Sequence, residues 1–186
     1  MKIILASGSP RRKELMELAG FNVTVSPTNA DENIEYDGNP AAFVAELSKI
    51  KGAAAKVNRD ELVLSADTIV CIDNQILGKP EDENDAKRML KMLSGKVHFV
   101  YTGVTIRYNE KIVTFTEKTE VEFFELTDEI IDYYVATNEP FDKAGGYGIQ
   151  GKGCILVRKI NGDYSNVVGL PIARVYREIE KLMGNA

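Results

Sequence analysis

The sequence predicts a mixed α/β fold, in which helices flank a central mixed sheet. Strand-length apolar runs alternate with helical segments along the chain. The run at residues 62–72 (LVLSADTIVCI) is almost unbroken, which is typical of a central strand covered on both faces. A chain of 186 residues can form one compact domain or two small lobes with a shared core. We therefore expect one domain over residues 1–186.

The bounds of the predicted elements follow from capping and turn residues. The first half is expected to contain strands at 2–6, 22–26 and 62–72 and helices at 9–19 and 39–57. Ser9 followed by Pro10 is a strong helix start, and Gly20 ends that helix. The second half is expected to contain helices at 84–93, 127–137 and 171–183 and strands at 98–108, 112–124 and 154–160. Asn109 marks a hairpin between two of those strands, and Thr127 is a favourable N-cap.

Charge and composition narrow the class of protein. The net charge of −5 and the pI of about 5.1 argue against a nucleic-acid-binding protein, which normally carries a basic face. We expect a cytoplasmic protein, because no apolar run has the length of a signal peptide or a membrane span. Cys71 and Cys154 are expected to be buried, reduced thiols, with a structural disulfide as the alternative. The single histidine, His98, is interpreted as a structural or surface residue rather than as part of a catalytic triad.

Residues 7–12 (SGSPRR) form the first candidate site. Arg11 and Arg12 fall in the first turn of the predicted helix, where the helix dipole opposes each cation by roughly 0.3–1 kcal/mol. A bound phosphate would reverse this effect, because backbone N–H groups at a helix start bind it and guanidinium groups add paired hydrogen bonds. Solvated surface arginines are the alternative interpretation.

Two charged residues interrupt apolar patterns elsewhere. Lys51 falls about 40° from Leu47 on the core face of the second helix, so it must extend to solvent, pair with an acid or line a cleft. Asp67 interrupts the buried strand, where a carboxylate needs a metal ion, a cation or a raised pKa. Residues of this kind are frequent in active sites, and a structural ion pair is the alternative.

Gly146, Gly148 and Gly151 match the pattern G-x-G-x-x-G. A dinucleotide-binding fingerprint needs a strand before this pattern and a helix after it, whereas here a strand is expected to follow. We therefore reject that interpretation. An NAD-linked oxidoreductase, which rests on this pattern alone, stays a third hypothesis that would need detectable NAD binding. The glycines are expected to allow a tight fold or close approach to a ligand, and Gln150 can read an amide-like edge.

Several motifs occur in a fixed order along nearly the whole chain. In order they are residues 5–12 (LASGSPRR), 31–32 (DE), Lys51, 66–68 (ADT), 78–80 (GKP), 142–151 (DKAGGYGIQG) and 162–171 (GDYSNVVGLP). Each motif alone is weak, whereas the ordered set is highly specific. The set resembles the Maf family of nucleoside triphosphate pyrophosphatases.

The resemblance implies a fold with two lobes around a deep cleft, similar to that of inosine triphosphate pyrophosphatases. It also implies metal-dependent hydrolysis between the α and β phosphates, which yields a nucleoside monophosphate and pyrophosphate. Asp67 matches the family's proton acceptor. Arg11, Thr68 and Gln150 match positions linked to substrate choice, and their identities resemble the subgroup that acts on dTTP and UTP. Modified pyrimidine nucleotides are further candidate substrates.

The residue chemistry is compatible with this reaction. The residues expected to bind the substrate are basic or polar: Ser7, Ser9, Arg11, Arg12, Lys51, Thr68, Lys79 and Gln150. Glu32 and Asp67 are the candidate ligands of a magnesium ion, with manganese as the alternative. Such an ion lowers the pKa of an attacking water, and Asp67 acts as base, as metal ligand or as both.

The expected partner is therefore a nucleoside triphosphate, with neither a stable nucleic-acid partner nor a membrane. The sequence leaves open whether the chain forms a homodimer. A non-catalytic regulator that binds nucleotide or nucleic acid is the competing hypothesis, and the acidic pI weighs against it.

Overall fold

The computed structural model describes residues 2–58 and 60–184. Its strands are β1 (Lys2–Leu5), β2 (Val23–Val25), β3 (Glu61–Ile72), β4 (Gln75–Leu77), β5 (Val97–Tyr108), β6 (Lys111–Phe123) and β7 (Val157–Asn161). Its α-helices are α1 (Pro10–Leu18), α2 (Pro40–Ala54), α3 (Glu83–Leu93), α4 (Asp128–Val135), α5 (Tyr164–Val168) and α6 (Ile172–Met183). Short 3₁₀ turns span Glu139–Asp142, Ala144–Gly146 and Gly151–Ile155. None of the helices in the described chain is both long and apolar enough to cross a membrane.

The strands form one mixed sheet. Its order is β2-β1-β3-β5-β6-β7, and β4 pairs with β3. Strand β1 is parallel to both β2 and β3, with Leu5 opposite Val25 on one side and Leu64 on the other. Strand β4 is antiparallel to β3, and strand β7 is antiparallel to β6. The predicted mixed α/β class with a central mixed sheet is confirmed.

One compact unit comprises Met1–Asp67, Thr102–Glu117 and Gly169–Ala186. Its core includes side chains from β1, α1 and β3 that are less than 2% exposed: Leu5, Met16, Leu62 and Leu64. Strand β1 ends at Leu5, opposite Leu64, so the residues that follow β1 lie beside the middle of β3, which continues to Ile72. In open α/β sheets, ligands bind at the carboxyl ends of parallel strands. We therefore expect a ligand site at the carboxyl end of β1.

The second compact unit comprises Thr68–Tyr101 and Lys118–Val168. Its core is formed by apolar side chains from strands and helices, including Val70, Leu90, Leu93, Phe123, Ile131, Tyr134 and Leu156. Helix α3 contributes residues three or four positions apart, which is the spacing of one helix face. The helix that the sequence predicts at 84–93 is confirmed, and it is amphipathic.

Strand β4 is an element that the sequence pattern did not predict. Asp73 and Asn74 form the expected turn, with φ angles of 49° and 64°, and Ile72 pairs with Gln75 across it. Positive φ at both turn residues is the signature of a two-residue hairpin. Three residues are too few to show a strand periodicity, so only the turn was visible in the sequence.

The segment around Cys154 corrects another prediction. The expected strand at 154–160 begins only at Val157, because residues 151–155 form a 3₁₀ turn. A Cβ atom on Gly153 would lie 2.1 Å from the Gly148 carbonyl oxygen, so the chain is folded too tightly here for a strand. Cys154 is consequently exposed, and its predicted burial is wrong. Cys71 is buried as predicted, and neither cysteine forms a disulfide.

Two helical predictions also change. Helix α2 ends at Ala54 rather than at Val57, because Ala55 adopts an extended conformation with φ −71° and ψ 120°. Helix α5 was not predicted, since five residues are too short to show a helical period. The predicted N-cap Thr127 is confirmed, and its side chain accepts a hydrogen bond from Ile130 N.

Candidate active site

The turn at residues 7–12 leads from β1 into α1. Ser9 is the N-cap of α1 and Pro10 its first residue, as the sequence predicts. The Ser9 side chain makes no capping hydrogen bond with the described residues, and its N–H donates to Ser7 Oγ at 3.3 Å. The first turn of α1, where Arg11 is partly buried, also lacks an acidic residue. A helix start with neither a side-chain cap nor a carboxylate suits an anion.

Arg12 fixes this turn to two other segments of the same unit. Its Nη1 donates to Ser7 Oγ at 2.9 Å and to the Ala66 carbonyl at 2.8 Å, and its Nε donates to the Gly169 carbonyl at 2.9 Å. Burial lowers the pKa of the Arg12 guanidinium, and the negative charge of Asp67 opposes that shift. Arg12 therefore has a positioning role that the sequence did not predict. Its direct contact with phosphate stays a prediction.

Lys51 lies in the last turn of α2, one helical turn after the buried Leu47. Only 17% of its side chain is exposed. Its Nζ donates to Asp67 Oδ1 and lies 3.0 Å from Glu32 Oε2. Of the alternatives for this lysine, the structure selects pairing with an acid, here with two acids. A cation in the last turn is also stabilised by the helix dipole.

Asp67 lies in the middle of β3, where it interrupts an otherwise buried strand. Residues 61–66 and 69–72 are buried, whereas Asp67 and Thr68 are partly accessible. The Lys51 ammonium supplies the cation that a carboxylate at this position requires. The ion pair that the sequence offered as an alternative is therefore present. It is compatible with a catalytic role, because 15% of the Asp67 side chain remains exposed.

Small residues set the distance between α2 and the sheet. A Cβ atom on Gly103 of β5 would lie 2.1 Å from the Val44 carbonyl oxygen, and one on Gly52 would lie 2.7 Å from Ser65 Oγ. Ser65 Oγ also donates to the Ser48 carbonyl at 2.7 Å. This close approach brings the last turn of α2 within side-chain reach of β3, which explains the lysine–aspartate contact.

Glu32 and Asp67 present two carboxylates to one point, since both contact Lys51 Nζ. Among residues 2–58 and 60–184, no group of three or more His, Cys, Asp or Glu side chains is arranged to hold a metal ion. Magnesium needs fewer protein ligands, because it keeps several waters and binds through one or two carboxylates and substrate phosphates. The two carboxylates therefore fit a magnesium ion that arrives with a phosphate-bearing ligand. Their role as metal ligands stays a prediction.

The remaining predicted site residues, Thr68, Lys79 and Gln150, belong to the second unit. Thr68 is partly buried in β3, and Lys79 and Gln150 are exposed. The Gly78 carbonyl accepts a hydrogen bond from Gly145 N at 2.9 Å, which ties the turn that contains Lys79 to the glycine-rich segment. The roles of these three residues in substrate binding stay predictions.

The glycine-rich segment is shaped by packing within this unit. A Cβ atom on Gly145, where φ is 70°, would lie 2.8 Å from the Val70 side chain. Gly146 and Gly151 also have φ above 60°, a conformation that other residues rarely adopt. The segment contains one 3₁₀ turn and leads into another rather than into an α-helix. The tight fold that the sequence predicts is present, and the arrangement is not that of a dinucleotide fingerprint.

The turn that begins α5 has a structural role that the sequence analysis did not assign. Ser165 donates from its N–H and from its Oγ to Asp163 Oδ1, each at 2.7 Å. Asn166 is fully buried, and its Nδ2 donates to the Val100 carbonyl at 3.1 Å and to Thr119 Oγ1 at 3.0 Å. An aspartate two positions before a serine is a signal of such a turn, so the sequence did contain a usable hint.

His98 is a structural residue, as one of the two sequence interpretations proposed. It is fully buried, and its Nε2 lies 2.7 Å from Tyr147 Oη. Burial lowers the pKa of the imidazole to about 4. His98 is therefore neutral at physiological pH and belongs to the core.

Comparison with known proteins defines first the class and then the family. A HAM1 protein from Coxiella burnetii has a solved structure that matches with a TM-score of 0.57, covering 100% of both chains at 14% sequence identity. This likeness shows that the chain has the mixed α/β fold of that protein. The family described as Maf-like protein matches residues 2–182. The chain belongs to this family, and the resemblance carried by the ordered motifs is confirmed.

Curated relatives match over almost their whole length. A protein of Bacillus cereus is 58% identical over 181 residues, which covers 97% of this chain and 95% of that one. A protein of Bacillus cytotoxicus is 55% identical over 186 residues, which covers 100% of this chain and 97% of that one. Both relatives are named dTTP/UTP pyrophosphatase.

Proposed function

We propose that this protein hydrolyses dTTP and UTP between the α and β phosphates, releasing a nucleoside monophosphate and pyrophosphate. The observation that carries the proposal is the contact of Lys51 with Asp67 and Glu32 in the unit that also contains the Ser7–Arg12 turn. The family membership and the names of the relatives from Bacillus cereus and Bacillus cytotoxicus support the choice of substrate.

The triphosphate tail is assigned to the start of α1. Ser9 gives this helix no side-chain cap and its first turn has no acidic residue, an arrangement that favours an anion at the helix start. Ser7 is positioned by Arg12, which also donates to the backbone carbonyls of Ala66 and Gly169. Arg11, Arg12 and Lys51 supply positive charge to a substrate that is strongly negative.

Asp67 is assigned the role of general base. Its carboxylate takes a proton from a water molecule, whose oxygen forms a bond to the α-phosphorus while the bond from that phosphorus to the bridging oxygen breaks. Pyrophosphate leaves with the electron pair of the broken bond. Glu32 and Asp67 would hold a magnesium ion, which polarises the phosphate and lowers the pKa of the attacking water.

Base recognition is assigned to Thr68 and Gln150. A hydroxyl and an amide both donate and accept hydrogen bonds, which suits the edge of a pyrimidine. Lys79, which is exposed in the turn before α3, is assigned to the phosphate tail.

We further place the protein in the cytoplasm, where nucleoside triphosphates are available and cysteines such as the exposed Cys154 stay reduced.

A product analysis tests the proposal directly. The purified protein is incubated with magnesium and UTP, dTTP, ATP or GTP in turn, and the products are separated by anion-exchange chromatography. UTP and dTTP are expected to give monophosphate and pyrophosphate faster than the purine nucleotides do. Release of orthophosphate would contradict the proposal and indicate a phosphatase. Salt-sensitive binding to DNA without any turnover would favour the non-catalytic regulator instead.

A further inference from the structure

The Lys51 ammonium occupies the point to which both candidate metal ligands turn their oxygens. Asp67 Oδ1 accepts a hydrogen bond from Nζ, and Glu32 Oε2 lies 3.0 Å from the same atom. The exposed fraction of the side chain is 17% for Lys51 and 15% for Asp67, against 43% for Glu32. The two carboxylates thus already have a cation, and it belongs to the chain.

A second cation cannot share these oxygens without cost. An ammonium and a divalent ion that contact the same two carboxylates would lie only a few ångströms apart, where like charges repel strongly in a partly desolvated place. Movement of Lys51 would relieve this repulsion when Glu32 and Asp67 both ligate a metal ion. Its four-carbon stem allows the ammonium to move while the backbone of α2 stays in place.

We propose that Lys51 is an internal counter-cation, which closes the Glu32–Asp67 pair to free divalent ions until a triphosphate draws the ammonium away. The inference rests on the proposed function, because it assumes that phosphate is the ligand. Phosphate oxygens offer Lys51 a new partner and leave the two carboxylates without a cation. The metal ion then binds together with the nucleotide, and nucleotide-free protein binds it weakly.

Manganese binding without nucleotide is the direct test, with Mn²⁺ titrated into the protein and the free ion measured by electron paramagnetic resonance. Lys51→Gln removes the charge but keeps a hydrogen-bond donor, and it is expected to bind Mn²⁺ about tenfold more tightly than the wild type, within the usual range of coupling between two sites. Lys51→Arg keeps a cation and should bind as weakly as the wild type. Lys49→Gln is the matched control on the same helix, since Lys49 is exposed and pairs with Glu46.

The wild-type protein supplies a second measurement that needs no substitution. A UTP analogue with a non-hydrolysable α,β linkage should enhance Mn²⁺ binding by the protein, as measured by water-proton relaxation and corrected for the manganese–nucleotide complex. Equal Mn²⁺ affinity in the wild type and a folded Lys51→Gln variant would overturn the inference, and so would tight binding by the wild type alone. If Lys51→Gln does not fold, the wild-type titrations with and without the analogue decide.

The two proposals fail in different ways. If the wild type releases no pyrophosphate from UTP or dTTP, the proposed function is wrong. If it hydrolyses UTP while Lys51→Gln leaves the manganese affinity unchanged, only the counter-cation role is wrong.

Discussion

Asp67 and His98 are both titratable side chains in largely apolar strands, and their surroundings differ. Asp67 in β3 is paired with the charged Lys51, and 15% of its side chain is exposed. His98 in β5 is fully buried, and its partner is the neutral hydroxyl of Tyr147. A charged partner together with access to solvent leaves a group that can exchange partners with a ligand. A neutral partner in a closed core leaves a group that only packs.

The surroundings of His98 explain why it stays neutral. Its ring packs edge-to-face against those of Phe123 and Tyr147, with centroids 4.9 and 5.3 Å away, and these two rings also contact each other. Burial lowers the pKa of His98 to about 4 and raises that of Tyr147, so neither group is charged at pH 7. The neutral partner and the closed core of His98 thus contrast with the charged partner and the solvent access of Asp67.

The largest expected effect is on activity, at Asp67. Asp67→Asn removes the general base but leaves Lys51 paired with Glu32, so we expect the rate of pyrophosphate release from UTP to fall about a thousandfold. The free energy of unfolding should change by about 1 kcal/mol or less, because one ion pair of the ammonium is retained. Steady-state kinetics and urea unfolding measure the two effects.

Asp73→Asn is the matched control for this substitution. Asp73 is exposed in the β3–β4 turn at φ 49°, a conformation that asparagine tolerates. It should retain wild-type kinetics. If the Asp67→Asn variant is as active as Asp73→Asn, Asp67 has only a structural role, as His98 does.

The next largest effect concerns the approach of α2 to the sheet. Gly103→Ala adds a Cβ atom 2.1 Å from the Val44 carbonyl oxygen, so α2 must move outward. We expect a loss of about 3 kcal/mol in the free energy of unfolding, with a loss of activity because Lys51 moves away from Asp67. Gly78→Ala is the control, since a Cβ atom there meets no atom within 4 Å. Unchanged stability of Gly103→Ala would show that α2 can repack without cost.

The third effect is a pH dependence of the free energy of unfolding, which originates at His98. Its pKa is lowered from 6.5 to about 4 in the folded protein, so the unfolded chain takes up the proton first as the pH falls. The stabilisation is complete above pH 6.5 and is lost progressively toward pH 4. Between pH 7 and pH 5, the wild type should lose about 2 kcal/mol more than His98→Phe in urea unfolding. Equal losses in the two proteins would show that His98 does not titrate in this range.

Much of the fold was predictable because its signals are local. Asn39 and Thr127 each cap a helix with their side chains, and Pro10 follows Ser9 at the start of α1, as the sequence predicts, since these signals depend on a few neighbouring residues. Cys154 was misplaced because a short apolar run is compatible with a strand and with a turn. What decides between them is the packing of Gly153 against a distant backbone carbonyl, which has no signature in the sequence.

The candidate site was predictable where it broke a pattern. Lys51 and Asp67 are each a charged residue among apolar ones, and both belong to the ion-paired group of Glu32, Lys51 and Asp67. Their mutual contact was not predictable, because it depends on how closely α2 approaches the sheet. The role of Arg12 was also hidden, since its partners include the backbone carbonyls of Ala66 and Gly169, which any residue type would provide.

The smallest effect is expected from a substitution that removes the hydrogen-bond partner of His98. Tyr147→Phe deletes the hydroxyl that lies 2.7 Å from Nε2, and Nδ1 has no hydrogen-bond partner among the described residues. The imidazole would then be buried without a partner for its ring N–H, which costs about 1 kcal/mol, while the neighbouring rings stay packed. Tyr133→Phe is the control, because Tyr133 is 53% exposed and should change stability by less than about 0.5 kcal/mol. A large loss of turnover in Tyr147→Phe, with stability unchanged, would instead connect the buried histidine to catalysis and remove the distinction between it and Asp67.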